Sequence, residues 1–145
     1  MSSRIVVALG LVLVLASGCG PAPDDETRIR EALDEMIAAL EGGDIDDFMA
    51  PIAADFVAGR RGLDRRAVGL LARRERLARE AIRIRRVGTE VELVGERRAV
   101  ARFRALATGG TGLLPDEGEL WHVETGWRRR DGAWRIISAQ WERGL

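Results

Sequence analysis

At Ile82 the spacing of apolar residues along this 145-residue chain changes from three and four to two. Upstream, Ile29, Leu33, Met36, Ile37 and Leu40 mark one face of a helix, and Leu63, Ala67, Leu70, Leu71, Leu77, Ala78 and Ala81 mark another. Downstream, Ile82 and Ile84, then Val87, Val91 and Leu93, follow the period of a strand, interrupted at Gly88. A helical pattern and a strand pattern each bury their apolar side only in their own conformation, so this chain has to lay helices on a sheet. The expected class is α+β, helices first and antiparallel strands after.

Turn chemistry sets the element boundaries. Acids in its first turn and Gly42-Gly43 as a stop bound the first helix. Asp44 reads as the N-cap of a short helix from Ile45 to about Ala50, with Asp47 at its third position and Pro51 closing it. A loop or short strand lies around Phe56-Val57, and a third helix runs from about Asp64 to Arg79. Gly95-Glu96 turns the chain into a strand from Ala99 to Ala107, and Thr108 to Gly118 reads as a loop. Trp121–Arg129 and Trp134–Trp141 then pair across Asp131-Gly132, a strong hairpin signal.

The first 18 residues have the parts of a secretory signal: Arg4, an apolar run from Ile5 to Ala16, then small residues before Cys19. Twelve residues of helix reach about 18 Å, too short for roughly 30 Å of hydrocarbon. Ala16-Ser17-Gly18-Cys19 resembles the lipobox of bacterial lipoproteins, with Ala16 where Leu is commonest. That resemblance implies diacylglyceryl attachment to the Cys19 sulfur, cleavage before Cys19 and acylation of the new amine. A lone cysteine forms no internal disulfide, and two or three acyl chains make a stable anchor. Gly20, where Asp would resemble an inner-membrane retention signal, favours the outer membrane facing the periplasm in a Gram-negative cell, or the outer face of the cell membrane otherwise. The expected organisation is a signal over residues 1–18, the lipidated Cys19 and a tether to residue 25, and one domain over 26–145.

Charge is balanced overall but unevenly placed. Asp24 to Asp55 holds eleven acids and two Arg, whereas Arg60 to Arg86 holds eleven Arg and three acids. Either the acidic helices lie beside the basic segment and neutralise it, which is the favoured reading, or a basic face is left for anionic headgroups or phosphates. Balanced charge and an exported address both argue against nucleic acid. Every basic residue is Arg, a bias of GC-rich genomes that says little about recognition.

Three segments in order resemble the nuclear transport factor 2-like superfamily, which includes polyketide cyclases and ketosteroid isomerases. They are Ala38-Ala39-Leu40-Glu41-Gly42-Gly43-Asp44-Ile45-Asp46-Asp47-Phe48, Val91-Glu92-Leu93-Val94-Gly95-Glu96-Arg97-Arg98-Ala99-Val100 and Trp127-Arg128-Arg129-Arg130-Asp131-Gly132-Ala133-Trp134-Arg135-Ile136. The resemblance implies a curved antiparallel sheet wrapped around about three helices into a cone, often with a pocket at its wide end and often dimeric. It implies no particular activity, because the fold hosts several chemistries and many domains without any.

Exclusions narrow the function. With one His and a lipidated Cys the chain has no Cys/His cage for zinc, and no metal or other cofactor is expected. It lacks Lys for a Schiff base and Tyr for an oxyanion donor, and Ser138 has no nucleophile-elbow context. Acid/base work by His122 with Glu124 or Asp55, or binding alone, remains. Asp55 sits where some superfamily members carry a pocket-facing acid, although a turn or capping role is commoner for such a residue.

Which face His122 shares depends on the terminal hairpin. A two-residue Asp131-Gly132 loop joins the Trp127 set to Trp134 and Ser138. A three-residue loop with a bulge at Gly132 joins His122 and Glu124 to Ser138 and Gln140, with Leu120, Trp134 and Ile136 on the same face. Under the second register Leu120, Trp134, Ser138 and Gln140 become candidate ligand-binding residues; otherwise His122 and Glu124 lie on the outer face, solvated or at a dimer contact. The four Trp are expected mainly in the core, with one or two free to line a cavity. Three functional readings follow: an envelope lipoprotein binding an apolar small molecule, a lipid or an envelope protein without turnover; a small-molecule isomerase, dehydratase or cyclase; and a structural homodimer.

Overall fold

The computed structural model describes residues 23–110 and 118–144. In chain order the elements are α1 (Asp25–Gly42), α2 (Ile45–Met49), β1 (Ile52–Ala58), β2 (Leu63–Asp64), α3 (Arg65–Ala78), β3 (Ala81–Val94), β4 (Arg98–Gly110), β5 (Glu119–Arg130) and β6 (Ala133–Arg143). They form one six-stranded sheet in the order β2-β1-β6-β5-β4-β3. The α+β class expected from the sequence is the class observed. The sheet is mixed rather than wholly antiparallel, because β1 lies parallel to β6.

Local chemistry explains the helix ends. Asp24, Asp44 and Asp64 each accept a hydrogen bond from the backbone N–H three residues on, at 2.7, 3.1 and 2.8 Å, capping the three helices. At the end of α1, Gly43 takes φ 81°, which lets the Asp44 and Gly43 N–H groups return to the carbonyls of Ala39 and Leu40. Gly69 sits close enough to Met49 that an added Cβ would stand 3.5 Å from its Cε, so a small residue lets α3 settle on α2.

Three expectations are sharpened or corrected. The segment around Phe56-Val57 is a full seven-residue strand, hydrogen-bonded between β2 and β6. Its burial does not alternate, since Ile52, Ala53, Phe56 and Ala58 are buried on either side of a register shift against β6. The break at Gly88 is a bulge, with φ 65°, inside one fourteen-residue strand. Strand β4 runs on to Gly110, so the beginning of the expected Thr108–Gly118 loop is sheet; residues 111–117 lie outside the described residues.

The terminal hairpin combines the two registers. Asp131 and Gly132 both have positive φ, 51° and 76°, as a two-residue type I′ turn requires, and Arg129 faces Trp134. Three residues beyond Trp134, Ile137 bulges out, so Trp127 faces Ile136 but Gly126 faces Ser138. Gly126 is small where a Cβ would collide with the Ser138 hydroxyl.

Helix α1 packs on the concave face and buries Ile29, Leu33 and Met36 against Phe56, Ala99, Ala101, Trp127, Trp134 and Ile136. The two buried indoles are satisfied: Trp127 Nε1 donates to Thr125 Oγ1 at 2.8 Å, and Trp134 Nε1 to Asp25 at 2.9 Å. At the far end of α1, Glu41 accepts from the Ile84 N–H at 2.7 Å and pins the helix to β3. The buried Arg86 guanidinium reaches from β3 to α1, donating to Asp34 at 2.5 Å and to the Arg30 carbonyl at 3.3 Å. Among the described residues no helix is long and apolar enough to cross a membrane.

Candidate functional site

Two surfaces of the sheet carry the residues in question. On the convex face the ladders align side chains in rows across the strands. One row is Glu90, Arg102, Glu124 and Gln140; the next is Val87, Arg104, His122 and Glu142. Around them lies an open depression of about 730 Å3 lined by Arg102, Arg104, His122, Glu124 and Gln140 and, from alternate positions of the same strands, by Phe103, Val123 and Trp141.

This face brings together most of the proposed site. His122, Glu124, Ser138 and Gln140 share it, as the bulged alternative required, with Leu120 one row further on. Trp134 does not join them: the bulge at Ile137 leaves it on the concave face, buried in the core. Asp55 lies within strand β1 rather than at a turn; it is exposed and holds Arg128 through two bonds of 2.8 Å. Arg128 and His122 are six residues apart on β5, about 20 Å of strand, so Asp55 and His122 do not act on one molecule of modest size.

The electrostatics of the convex groups are those of ion pairs. Arg102 bridges Glu124 at 2.8 Å and Glu92 at 3.1 Å, and these hydrogen bonds raise the guanidinium pKa. The bond from Arg128 holds the Asp55 carboxyl below its ordinary range, which makes it a poorer base. His122 is exposed, with no hydrogen-bond or ion-pair partner among the described residues. A general base coupled to an orienting acid is therefore not assembled here. Nor do three His, Cys, Asp or Glu side chains gather anywhere among the described residues in a way that could hold a metal ion.

The second surface is the concave face beyond α1. In register with the core, but past its edge, stand Phe103, Trp121, Val123 and Trp141: Phe103 faces Val123, and Val123 faces Trp141. Phe103, Trp121 and Val123 are half-buried, and Trp141 is 39% exposed. Arg143 stacks over Trp121 and Arg86 over Phe103, 5.7 and 5.8 Å from the ring centroids, so two cations rim an aromatic floor. Reasoning from sequence placed the ligand face with His122 and so missed this floor as a unit. The signal was present in the period-two run Trp121, Val123, Thr125, Trp127.

Neither a family model nor a curated protein matches this chain in sequence. Solved structures do match in shape. Aln2 from a Streptomyces species superposes with a TM-score of 0.73 at 19% identity, covering 85% of this chain and 93% of that one. A candidate dehydratase of the NTF2-like family from Streptomyces avermitilis gives 0.71 at 18% identity, covering 83% and 97%. An NTF2-like protein of unknown function from Pseudomonas putida gives 0.68 at 22% identity, covering 83% and 87%. The described domain thus has the nuclear transport factor 2-like fold, as the three sequence segments implied. At these identities the likeness concerns the fold alone.

Proposed function

We propose that this chain is a lipid-anchored envelope protein whose cone binds an apolar small molecule without turning it over. The observation that carries the reading is the aromatic floor of Phe103, Trp121, Val123 and Trp141, half-buried on the concave face with no titratable pair among its members. An apolar ligand covering that floor removes aromatic surface from water, while Arg143 at the rim faces any polar end. The anchor rests on Ala16-Ser17-Gly18-Cys19. Dehydratase chemistry of the kind named for the Streptomyces avermitilis structure is the competing reading, and it would need His122 to work from the convex face.

The test is mass spectrometry of small molecules extracted from the purified chain, beside Trp121→Ala/Trp141→Ala and His122→Ala variants. An apolar species present in the parent and the His122 variant but lost from the double Trp variant supports the reading. A species lost only with His122 would move the site to the convex depression and overturn it.

A further inference from the structure

The solvent side of α3 has a composition that its packing does not explain. Arg66, Leu70, Arg73, Arg74 and Leu77 follow the spacing i, i+4, i+7, i+8 and i+11, a single helical stripe. Of the helix's two buried residues, Ala72 lies on the far side from the stripe and Gly69 beside it. Leu70 is 55% exposed and Leu77 90%. Solvated helix faces are ordinarily charged or polar, so two bare leucines between three arginines ask for an apolar partner with negative charge at its boundary.

The charge balance points the same way. Three ion pairs join the acidic and basic halves of the chain: Arg86 with Asp34, Arg83 with Glu41, and Arg73 with Asp46 at 3.6 Å. Expected neutralisation is therefore realised along α1 and, through Asp46 of α2, at Arg73 of the stripe itself. It does not reach Arg66 and Arg74, which have no ion pair among the described residues. Arg66, Leu70 and Arg73 also border a shallow recess of about 760 Å3 beside Met49.

We infer that this face of α3 docks on an anionic lipid bilayer, Leu70 and Leu77 entering the headgroup boundary while Arg66 and Arg74 meet lipid phosphates. Long arginine side chains can keep their charge at that boundary while their stems lie along apolar surface. The docking is separate from the aromatic floor, and it would fix how the cone is presented to the membrane.

The experiment uses the full chain with Cys19→Ser, so that no acyl chain contributes, in co-sedimentation with neutral phosphatidylcholine vesicles and with vesicles containing about one third phosphatidylglycerol. Arg4 and the apolar run at residues 5–16 are the same in parent and variants, so the loss of anionic binding from parent to variant is the readout. A preference of tenfold or more for the anionic vesicles is expected. At about 1 kcal/mol per basic residue near such a surface, Arg66→Gln/Arg74→Gln should cut anionic binding about 25-fold. Leu70→Ser/Leu77→Ser should also reduce it, leaving the thermal melt unchanged because both positions are exposed. Arg98→Gln/Arg135→Gln removes the same charge from the convex face and should have no comparable effect. Equal binding to both vesicles, or equal loss in the convex-face control, overturns the inference.

Discussion

Strand β5 has two faces that follow different rules. Trp121, Val123, Thr125 and Trp127 point to the concave side, where burial deepens along the strand until Trp127 is sealed under α1. His122, Glu124 and Arg128 point to the convex side, where water reaches nearly everything and arginines pair with acids. The comparison separates chemistry from cohesion. Side chains with titratable groups gather where the protein is wet, and aromatic surface gathers where it is dry. The two sets alternate along the same strands, and the depression beside His122 also takes in Phe103, Val123 and Trp141, so binding at the aromatic floor and catalysis by His122 compete for one stretch of sheet.

The largest test of the contrast is a pair of truncations on this one strand. Trp127→Ala removes a fully buried indole from the centre of the core and should cost about 3–5 kcal/mol in chemical denaturation. His122→Ala, at an exposed position, should change stability by no more than about 0.5 kcal/mol. A large loss at His122 would mean that the convex face is covered in solution. Sedimentation of the same samples would then show whether a second copy covers it, reviving the dimer reading.

A smaller test probes how the dry face keeps its polar atoms. Trp127 Nε1 donates to Thr125 Oγ1, and that hydroxyl donates to the Ala101 carbonyl at 3.3 Å, so one buried threonine serves two neighbouring strands. Thr125→Val keeps the shape and leaves the indole N–H without its acceptor, at a cost of about 1–3 kcal/mol in the same denaturation assay. A neutral result would show that water enters beside Trp127, and the face would be less dry than its burial implies.

Much of this arrangement was legible in the sequence where its cause is local. Asp44 caps the helix that follows it, Gly43 stops the one before it, and Asp131-Gly132 turns the hairpin, each through backbone within a few residues. The bulge at Ile137 was not legible in the same way. It comes from fitting two strands that both have to bury their tryptophans, and it decides that His122 shares a face with Ser138 while Trp134 does not. Strand β1 hid for a related reason: an irregular parallel register with β6 spoils the alternation by which strands are recognised. Asp55 was read as a pocket acid or a turn residue, and its ion pair went unseen, because its partner, Arg128, stands 73 residues away.

The smallest effect concerns the wet face and its dependence on pH. The Arg128 hydrogen bonds lower the pKa of Asp55 in the folded chain, and the Thr27 N–H lowers that of Asp24 at the start of α1. A carboxyl with a depressed folded pKa adds stability that is fully present above its unfolded value, near 4, and that drains away as pH falls through the lower folded value. Acidification from about pH 5 to pH 2 should therefore weaken the fold partly through these two groups. Asp55→Asn removes one of them, so thermal melts of that variant should lie below the parent at neutral pH and converge on it in acid. Both side chains of the pair touch water, which screens the gain and keeps the separation small. If the two curves instead run parallel across that range, the pair contributes through shape rather than charge. The convex rows would then be less purely electrostatic than their composition implies.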